Sequence, residues 1–392
     1  MRPSGRLHLG HYHGVLKNWI SLQHEYDSYF FVADWHALTT HYDTPEHMQG
    51  NVWDMVIDWL AAGVDPSRAT IFIQSQVPEH AELHLLLSMI TPVSWLERVP
   101  SYKEQQEKLS GKDLSTYGFL GYPLLQSADI LIYNASYVPV GDDQVAHVEL
   151  TREIARRFNY IYGRDQGFIE KAESAIDKMG KKNARQYRQF RTAYIEQGQD
   201  SALEKAHQLL KRQQNITIAD KERLFGYLEG GGRVILAEPE ALLTQASRMT
   251  GLDGQKMSKS YNNTIFMRDD NDRINKEIRA MPTDPARVRR DDPGDPEKCP
   301  VWELHKVYSD EAVKTWVVDG CKSAAIGCVD CKKPLIDAIV KEQDVIKERA
   351  SPYLEDPTLV RKIIASGCEK AREVAEQTME EVRDCLNTDY YS

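Results

Sequence analysis

Pro3-Ser4-Gly5-Arg6-Leu7-His8-Leu9-Gly10-His11 stands almost at the start of the chain, and Gly254-Gln255-Lys256-Met257-Ser258-Lys259-Ser260 stands far downstream. The first stretch is a glycine-punctuated turn with two imidazoles three residues apart. Val15, Leu16, Trp19 and Ile20 follow at helical spacing, so the turn opens a helix. A helix start leaves backbone N–H groups unpaired and carries the positive end of the dipole, which makes it a receiver of anions. Two imidazoles there can bond phosphate oxygens and stabilise charge in a transition state. In the second stretch, two lysines three apart on a glycine-bearing loop suit closure over a triphosphate. Their ammonium groups would neutralise a departing pyrophosphate.

The segments around this pair alternate. Tyr29 to Ala33 reads as a short buried strand ending at Asp34 and His36, and a helix from about Pro45 to Gly63 carries Val52, Met55, Val56, Trp59 and Leu60 on one face. Thr70 to Gln74 is the next strand, and Pro78 to Met89 the next helix. That rhythm predicts a parallel sheet covered by helices, with ligands beyond the carboxyl ends of the strands. Residues 98–118 are polar and suit a mobile element near such a site. Asp129 then lies inside the apolar run Phe119 to Tyr133. A buried carboxylate requires a partner, either a neighbouring side chain or a ligand donor. The strand Tyr137 to Val140, the turn Gly141-Asp142-Asp143-Gln144 and a helix from Val145 to Phe158 repeat the strand–turn–helix pattern. Residues 168–240 read as an inserted, mostly helical module with basic stretches, a hinge at Gly230-Gly231-Gly232 and a short strand Arg233 to Leu236. Helices resume from Asp269, and the last runs from about Pro357 to Leu386.

With 392 residues, 41% hydrophobic and 28% charged, the chain has the composition of a soluble protein of two or three domains. A net charge of −10 argues against wholesale coating of nucleic acid while leaving room for a local basic patch on a specific RNA. No apolar run approaches the ~20 residues of a membrane helix, and the N-terminus does not read as a secretory signal. A cytoplasmic enzyme without membrane attachment is expected. Of the six cysteines, Cys299, Cys321, Cys328 and Cys331 cluster as C-x21-C-x6-C-x2-C. In a reducing compartment such thiols suit metal more than disulfides, as a [4Fe–4S] cluster or a tetrahedral Zn²⁺.

Together, His8-Leu9-Gly10-His11 and Lys256-Met257-Ser258-Lys259-Ser260 resemble the two signatures of class I aminoacyl-tRNA synthetases. Val140 to Arg152, and Tyr122-Pro123 with Ala128-Asp129-Ile130-Leu131, look like the tryptophanyl-tRNA synthetases in particular. The resemblance covers about residues 2–166 and 245–386. It implies an α/β fold with a Rossmann-like parallel-sheet catalytic domain (1–167, resuming at 241–270 with the lysine loop). The insertion 168–240 interrupts it, and a helical anticodon-binding domain (271–365) and a C-terminal helix (366–392) follow. It further implies an ATP-dependent tryptophan–tRNA ligase acting on L-tryptophan, ATP with Mg²⁺ and tRNA(Trp), as a homodimer.

Position by position, the family pattern makes His8, His11, Lys256 and Lys259 catalytic. ATP would meet Arg2, Pro3, Ser4, Gly10, His11, Gly141, Asp142, Asp143, Lys256, Met257, Ser258, Lys259 and Ser260. Asp129 would accept the indole N–H, with Tyr122, Gln126, His36, Val140 and Gln144 lining the amino-acid pocket and Lys103 a further phosphate contact. The four clustered cysteines look like the iron–sulfur site of a bacterial subset, with one residue fewer in the first gap, and would staple the anticodon-binding domain. Two departures stand out. The family normally begins with an apolar strand before the turn, whereas here Met1-Arg2-Pro3 comes directly before it, so a sheet edge lacking that strand is expected. The other is the long insertion. The competing readings are a tyrosyl enzyme, a nucleotidylyltransferase without tRNA, and a non-catalytic paralogue that binds tryptophan or RNA.

Overall fold

A computed structural model describes residues 1–100, 114–164, 167–195, 199–228, 234–244, 249–388 and 390. The chain forms two compact units, Met1–Gln76 with Thr244–Ala371, and Val77–Leu243 with Arg372–Ser392.

In the first unit, strand β1 (Ser28–Val32) pairs in parallel with β2 (Ala69–Ile73), Ser28 opposite Ala69 and Val32 opposite Ile73. The helix Met48–Ala62 joins them, burying Val52, Met55, Val56, Trp59 and Leu60, the face its periodicity predicts. Gly63 ends it in the left-handed region (φ 117°), where a side chain would be strained. Trp19 stacks on Phe30 of β1 at 4.3 Å and meets Trp59 edge-on at 5.2 Å, tying the opening helix to this layer. The backbone of Met1 donates to Phe31 O (2.6 Å) and accepts from Ala33 N (2.8 Å), the spacing of a parallel neighbour on β1. The helix after the signature turn contains a π turn at Tyr12–Leu16, with Lys17 N reaching Tyr12 O. There the buried His13 meets Tyr308 (2.8 Å) and Glu342 (3.0 Å). The later helices of this unit share one apolar core with the two signature stretches. Leu9 and Met257 pack with Ile278, Leu304, Leu335 and Ile339, so each motif sends one apolar side chain into this core.

In the second unit, β3 (Tyr137–Val140) pairs in parallel with β4 (Glu240–Leu243). Both ladders are parallel, as expected, and among the described residues they form two two-stranded pieces. The expected strand at Arg233 to Leu236 is corrected: Arg233 lies outside the described residues, and 234–236 are irregular. The side chain of Asn159 takes the place of a ladder there, its Oδ1 accepting from Ile235 N and Leu236 N and its Nδ2 donating to Leu236 O. With those groups satisfied, the strand forms a few residues later. The glycine hinge 230–232 and Lys103 also fall outside the described residues. Within the insertion, the helices Phe168–Lys178, Lys181–Ile195, Asp200–Lys211 and Ile218–Leu228 enclose their own core around Ile176, Tyr187, Leu210 and Leu224.

Candidate active site

The signature turn is pinned from three sides within the first unit. Leu9 N donates to Ile265 O and Met267 N to Leu7 O (both 3.0 Å), an antiparallel bridge centred on His8 and Phe266. Leu7 N donates to Asp58 Oδ2 (3.0 Å), and Asp58 Oδ1 accepts from Arg268 Nε (2.6 Å). Arg6 completes the brace, its guanidinium donating to Arg268 O and lying 3.6 Å from Asp269.

The two imidazoles interlock. His8 Nδ1 accepts from Gly10 N (3.1 Å), His11 Nδ1 accepts from His8 N (3.2 Å), and the ring centroids lie 3.8 Å apart. A Cβ on Gly10 would stand 2.9 Å from the His8 ring, so only glycine permits this packing. Burial, helped by Lys259, pushes the His8 imidazole down to about 4. Burial, then His8 and Lys259, push that of His11 down to about 3. Both rings are neutral near pH 7. Since each Nδ1 accepts, each Nε2 carries the proton and is the donor offered onward.

These shifts have a thermodynamic consequence. Unfolded imidazoles take up a proton near 6.5, whereas the folded ones do so only near 4 and 3. Between those limits the unfolded chain binds more protons, so the stability present above about pH 6.5 falls as the pH falls through this window. The urea midpoint is expected to decline from pH 6.5 to 4, and His11→Gln to flatten that decline. An equal slope in both proteins would rule out His11 as a contributor.

The lysine loop docks on the same turn. Lys259 Nζ donates to Ser4 O (3.1 Å) and Gly5 O (2.9 Å), and burial lowers its ammonium to about 8 against the attraction of Asp58. Lys256 lies exposed on the loop, Met257 is buried beneath it, and Ser258 Oγ and Ser260 Oγ meet at 2.9 Å. Asn263 holds the loop's shape, its Oδ1 accepting from Ser258 N and its Nδ2 donating to Asp253 and to Lys256 O. The structure thus gathers Ser4, His8, Gly10, His11 and Lys259. Arg2 and Pro3 lie on the same turn, and His36 is buried on the helix Asp34–His41 of the same unit.

In the second unit, Tyr122, Gln126 and Asp129 lie on one face of the helix Tyr122–Leu131, with Tyr122 and Asp129 buried. The partner that the burial of Asp129 demands includes a residue the sequence reading did not single out: His80 Nδ1, at 2.7 Å. Val140 ends β3, and Gly141, Asp142, Asp143 and Gln144 form the turn beyond it, with Gln144 Nε2 donating to Asp143 at 3.2 Å. Asp58, Arg268, Asn263 and His80 are the residues missed. Only Asp58 and His80 carry a sequence signal, as polar side chains at positions where their helices turn toward the core.

The four cysteines are free thiols at the ends of three helices, in one electrostatic environment. Burial, then Cys299, Cys321 and Cys328, push the Cys331 thiol up to about 12. Cys331 Sγ lies 3.5 Å from His305 Nε2, and Arg287 approaches Cys321 Sγ at 3.9 Å. Among the described residues, no three His, Cys, Asp or Glu side chains stand at metal-ligating spacing.

The chain is similar to known proteins over nearly its whole length. The family model for class I tRNA synthetases (W and Y) matches residues 1–186 and 198–342. A tryptophan–tRNA ligase of Ralstonia nicotianae is 65% identical over 390 residues, spanning 100% of this chain and 98% of that protein. One from Thermotoga maritima is 44% identical, spanning 99% of this chain and 97% of that protein. Among solved structures, a tryptophanyl-tRNA synthetase of Campylobacter jejuni complexed with ADP and tryptophan superposes with a TM-score of 0.74 at 26% identity, over 99% of this chain and 98% of that one. Matched over most of its length by the family model, and at full length by these relatives, the chain belongs to the class I tRNA synthetases of the tryptophan and tyrosine type.

Proposed function

We propose that the chain is an ATP-dependent ligase that activates L-tryptophan and transfers it to tRNA(Trp). The observation that carries this reading is the neutral His8–His11 pair with the Lys259 ammonium docked on the same turn. Two Nε2–H donors and one cation on the same turn suit a substrate that develops negative charge on phosphate oxygens. The tryptophan carboxylate attacks the α-phosphorus in line, and pyrophosphate departs with its charge met by Lys259, Lys256 and the Mg²⁺ of the nucleotide. No enzyme nucleophile is required, because positioning and neutralisation carry the reaction. The acyl group then passes to the terminal ribose of the tRNA.

Arg2, Pro3, Ser4, Gly10, Met257, Ser258 and Ser260 shape the phosphate side, and Gly141, Asp142 and Asp143 the ribose and adenine side. Asp129 accepts the indole N–H, which penalises a side chain unable to donate there, while Tyr122, Gln126, His36, Val140 and Gln144 line the rest. The relatives named as tryptophan–tRNA ligases favour this assignment over a tyrosyl enzyme or a non-catalytic paralogue. The same reading brings a homodimer working in the cytoplasm and an anticodon-binding domain over 271–365. No helix among the described residues is long and apolar enough to cross a membrane. Tryptophan-dependent exchange of pyrophosphate into ATP, followed by charging of tRNA(Trp), tests it. Absence of exchange retires the reading, and exchange without charging leaves an adenylating enzyme.

Cys299, Cys321, Cys328 and Cys331 would hold a [4Fe–4S] cluster, or Zn²⁺ in its place, joining three helices of the anticodon-binding domain. The group supplies a structural staple and no step of the reaction. Protein purified without oxygen is expected to contain iron and sulfide and to absorb near 400 nm. A colourless product free of iron and zinc would reject the site.

A further inference from the structure

Asp129 is held from a second helix. His80, fully buried near the start of the helix Glu79–Ser88, places Nδ1 2.7 Å from Asp129 Oδ1 and Nε2 2.7 Å from the hydroxyl of Tyr133. An ionised carboxylate can only accept, so Nδ1–H donates to it, and in the neutral ring Nε2 accepts the Tyr133 hydroxyl proton. The three groups form a chain in which the tyrosine sets the tautomer, the tautomer sets the donor, and the donor fixes the plane of the carboxylate. Tyr133 lies four residues after Asp129, in the turn that follows the helix Tyr122–Leu131, so both ends of the chain are on one segment with His80 wedged between them. The helix carrying His80 is itself anchored. Arg383 makes a two-pronged pair with Glu82 (2.8 and 2.6 Å), and Arg372 lies 4.0 Å from Glu79.

We infer that His80, oriented by Tyr133, is a positioning residue for amino-acid selection, holding the Asp129 carboxylate in the one rotation that meets an indole N–H. The inference rests on the proposed role of Asp129. A carboxylate free to rotate meets the N–H in only a fraction of its orientations, and it also admits water, which weakens the penalty against a side chain without a donor. The arrangement acts on tryptophan alone and leaves ATP and the in-line step unchanged.

The test compares Tyr133→Phe, His80→Gln and Asp129→Asn by pyrophosphate exchange, with tryptophan and with phenylalanine as substrates. Tyr133→Phe removes one hydroxyl and preserves the ring, so it tests the chain even if His80→Gln fails to fold. It is expected to raise the tryptophan KM about 3- to 10-fold, the worth of one buried hydrogen bond. The kcat and the ATP KM should hold, and the preference for tryptophan over phenylalanine should fall by a similar factor. His80→Gln should exceed it, and Asp129→Asn should have the largest effect. If Asp129→Asn shifts KM and selectivity while Tyr133→Phe shifts neither, the inference is overturned and His80 is a satisfied core histidine. If Asp129→Asn itself changes nothing, the role of Asp129 fails first. A uniform loss of kcat with unchanged selectivity in Tyr133→Phe also overturns it, because that is the mark of general destabilisation.

Discussion

Asp58→Ala is expected to destabilise the chain by about 3–5 kcal/mol, the range found when one partner of a buried ion pair is removed. Asp58 is 1% exposed, and both its oxygens are engaged, by Leu7 N and by Arg268 Nε. Burial pushes its carboxyl up, and the Arg268 guanidinium pulls against that push. Without the carboxylate, the Arg268 side chain, 10% exposed, keeps the half-exposed Asp54 at 3.1 Å as its one carboxylate partner among the described residues, and Leu7 N–H loses its acceptor. The chain's total margin is on the order of 5–15 kcal/mol, so the loss should be plain as a large drop in the urea midpoint of the first unfolding transition. Asp54→Ala removes an exposed partner and should cost about 1 kcal/mol or less. The contrast between the two is the measurement, and comparable losses would show that burial at Asp58 carries no special weight. Catalysis should suffer beyond stability, since Asp58 also bonds the turn that presents His8 and provides the attraction that opposes the lowering of Lys259.

Lys259→Ala is expected to lower the rate of adenylate formation by about 10²- to 10³-fold, the loss typical of one preorganised group aimed at developing charge. Tryptophan affinity, read by fluorescence titration without ATP, should remain within a factor of about two, because a group used in the transition state contributes little to binding of the other substrate. Lys256→Ala should have a smaller effect. Lys256 is exposed on the loop, whereas Lys259 is docked on the signature turn, donating to Ser4 O and Gly5 O. Equal losses in rate and in tryptophan affinity would assign Lys259 a ground-state role instead.

Much of the fold was legible because it follows local rules. The helix Met48–Ala62 buries the residues its 3.6 period selects, and β1, β2 and β3 fall where short runs rich in β-branched and aromatic residues are bounded by polar turns. The strand expected at 233–236 was displaced because one asparagine, Asn159, satisfies the backbone from a distant helix, which no window on the local pattern could register. Asp58 was within reach of the rule that drew attention to Asp129, a carboxylate within the apolar face of a helix. Its partner Arg268, 210 residues away, had no signal of its own.

By itself, the sequence determined the chemistry available to this protein. Two imidazoles at a helix start, two lysines on a glycine-bearing loop and a carboxylate in an apolar helix are properties of residue type and short spacing, and those are local. Tertiary structure decided which of these groups is poised. It docked Lys259 on the signature turn and left Lys256 exposed, made both imidazoles neutral with Nδ1 accepting and Nε2 left to donate, and placed His80 against Asp129. Each of these depends on burial and on contacts between segments distant along the chain. A protonation state or a donor's direction arises from the whole surroundings of a group, and short-range sequence pattern encodes only part of them.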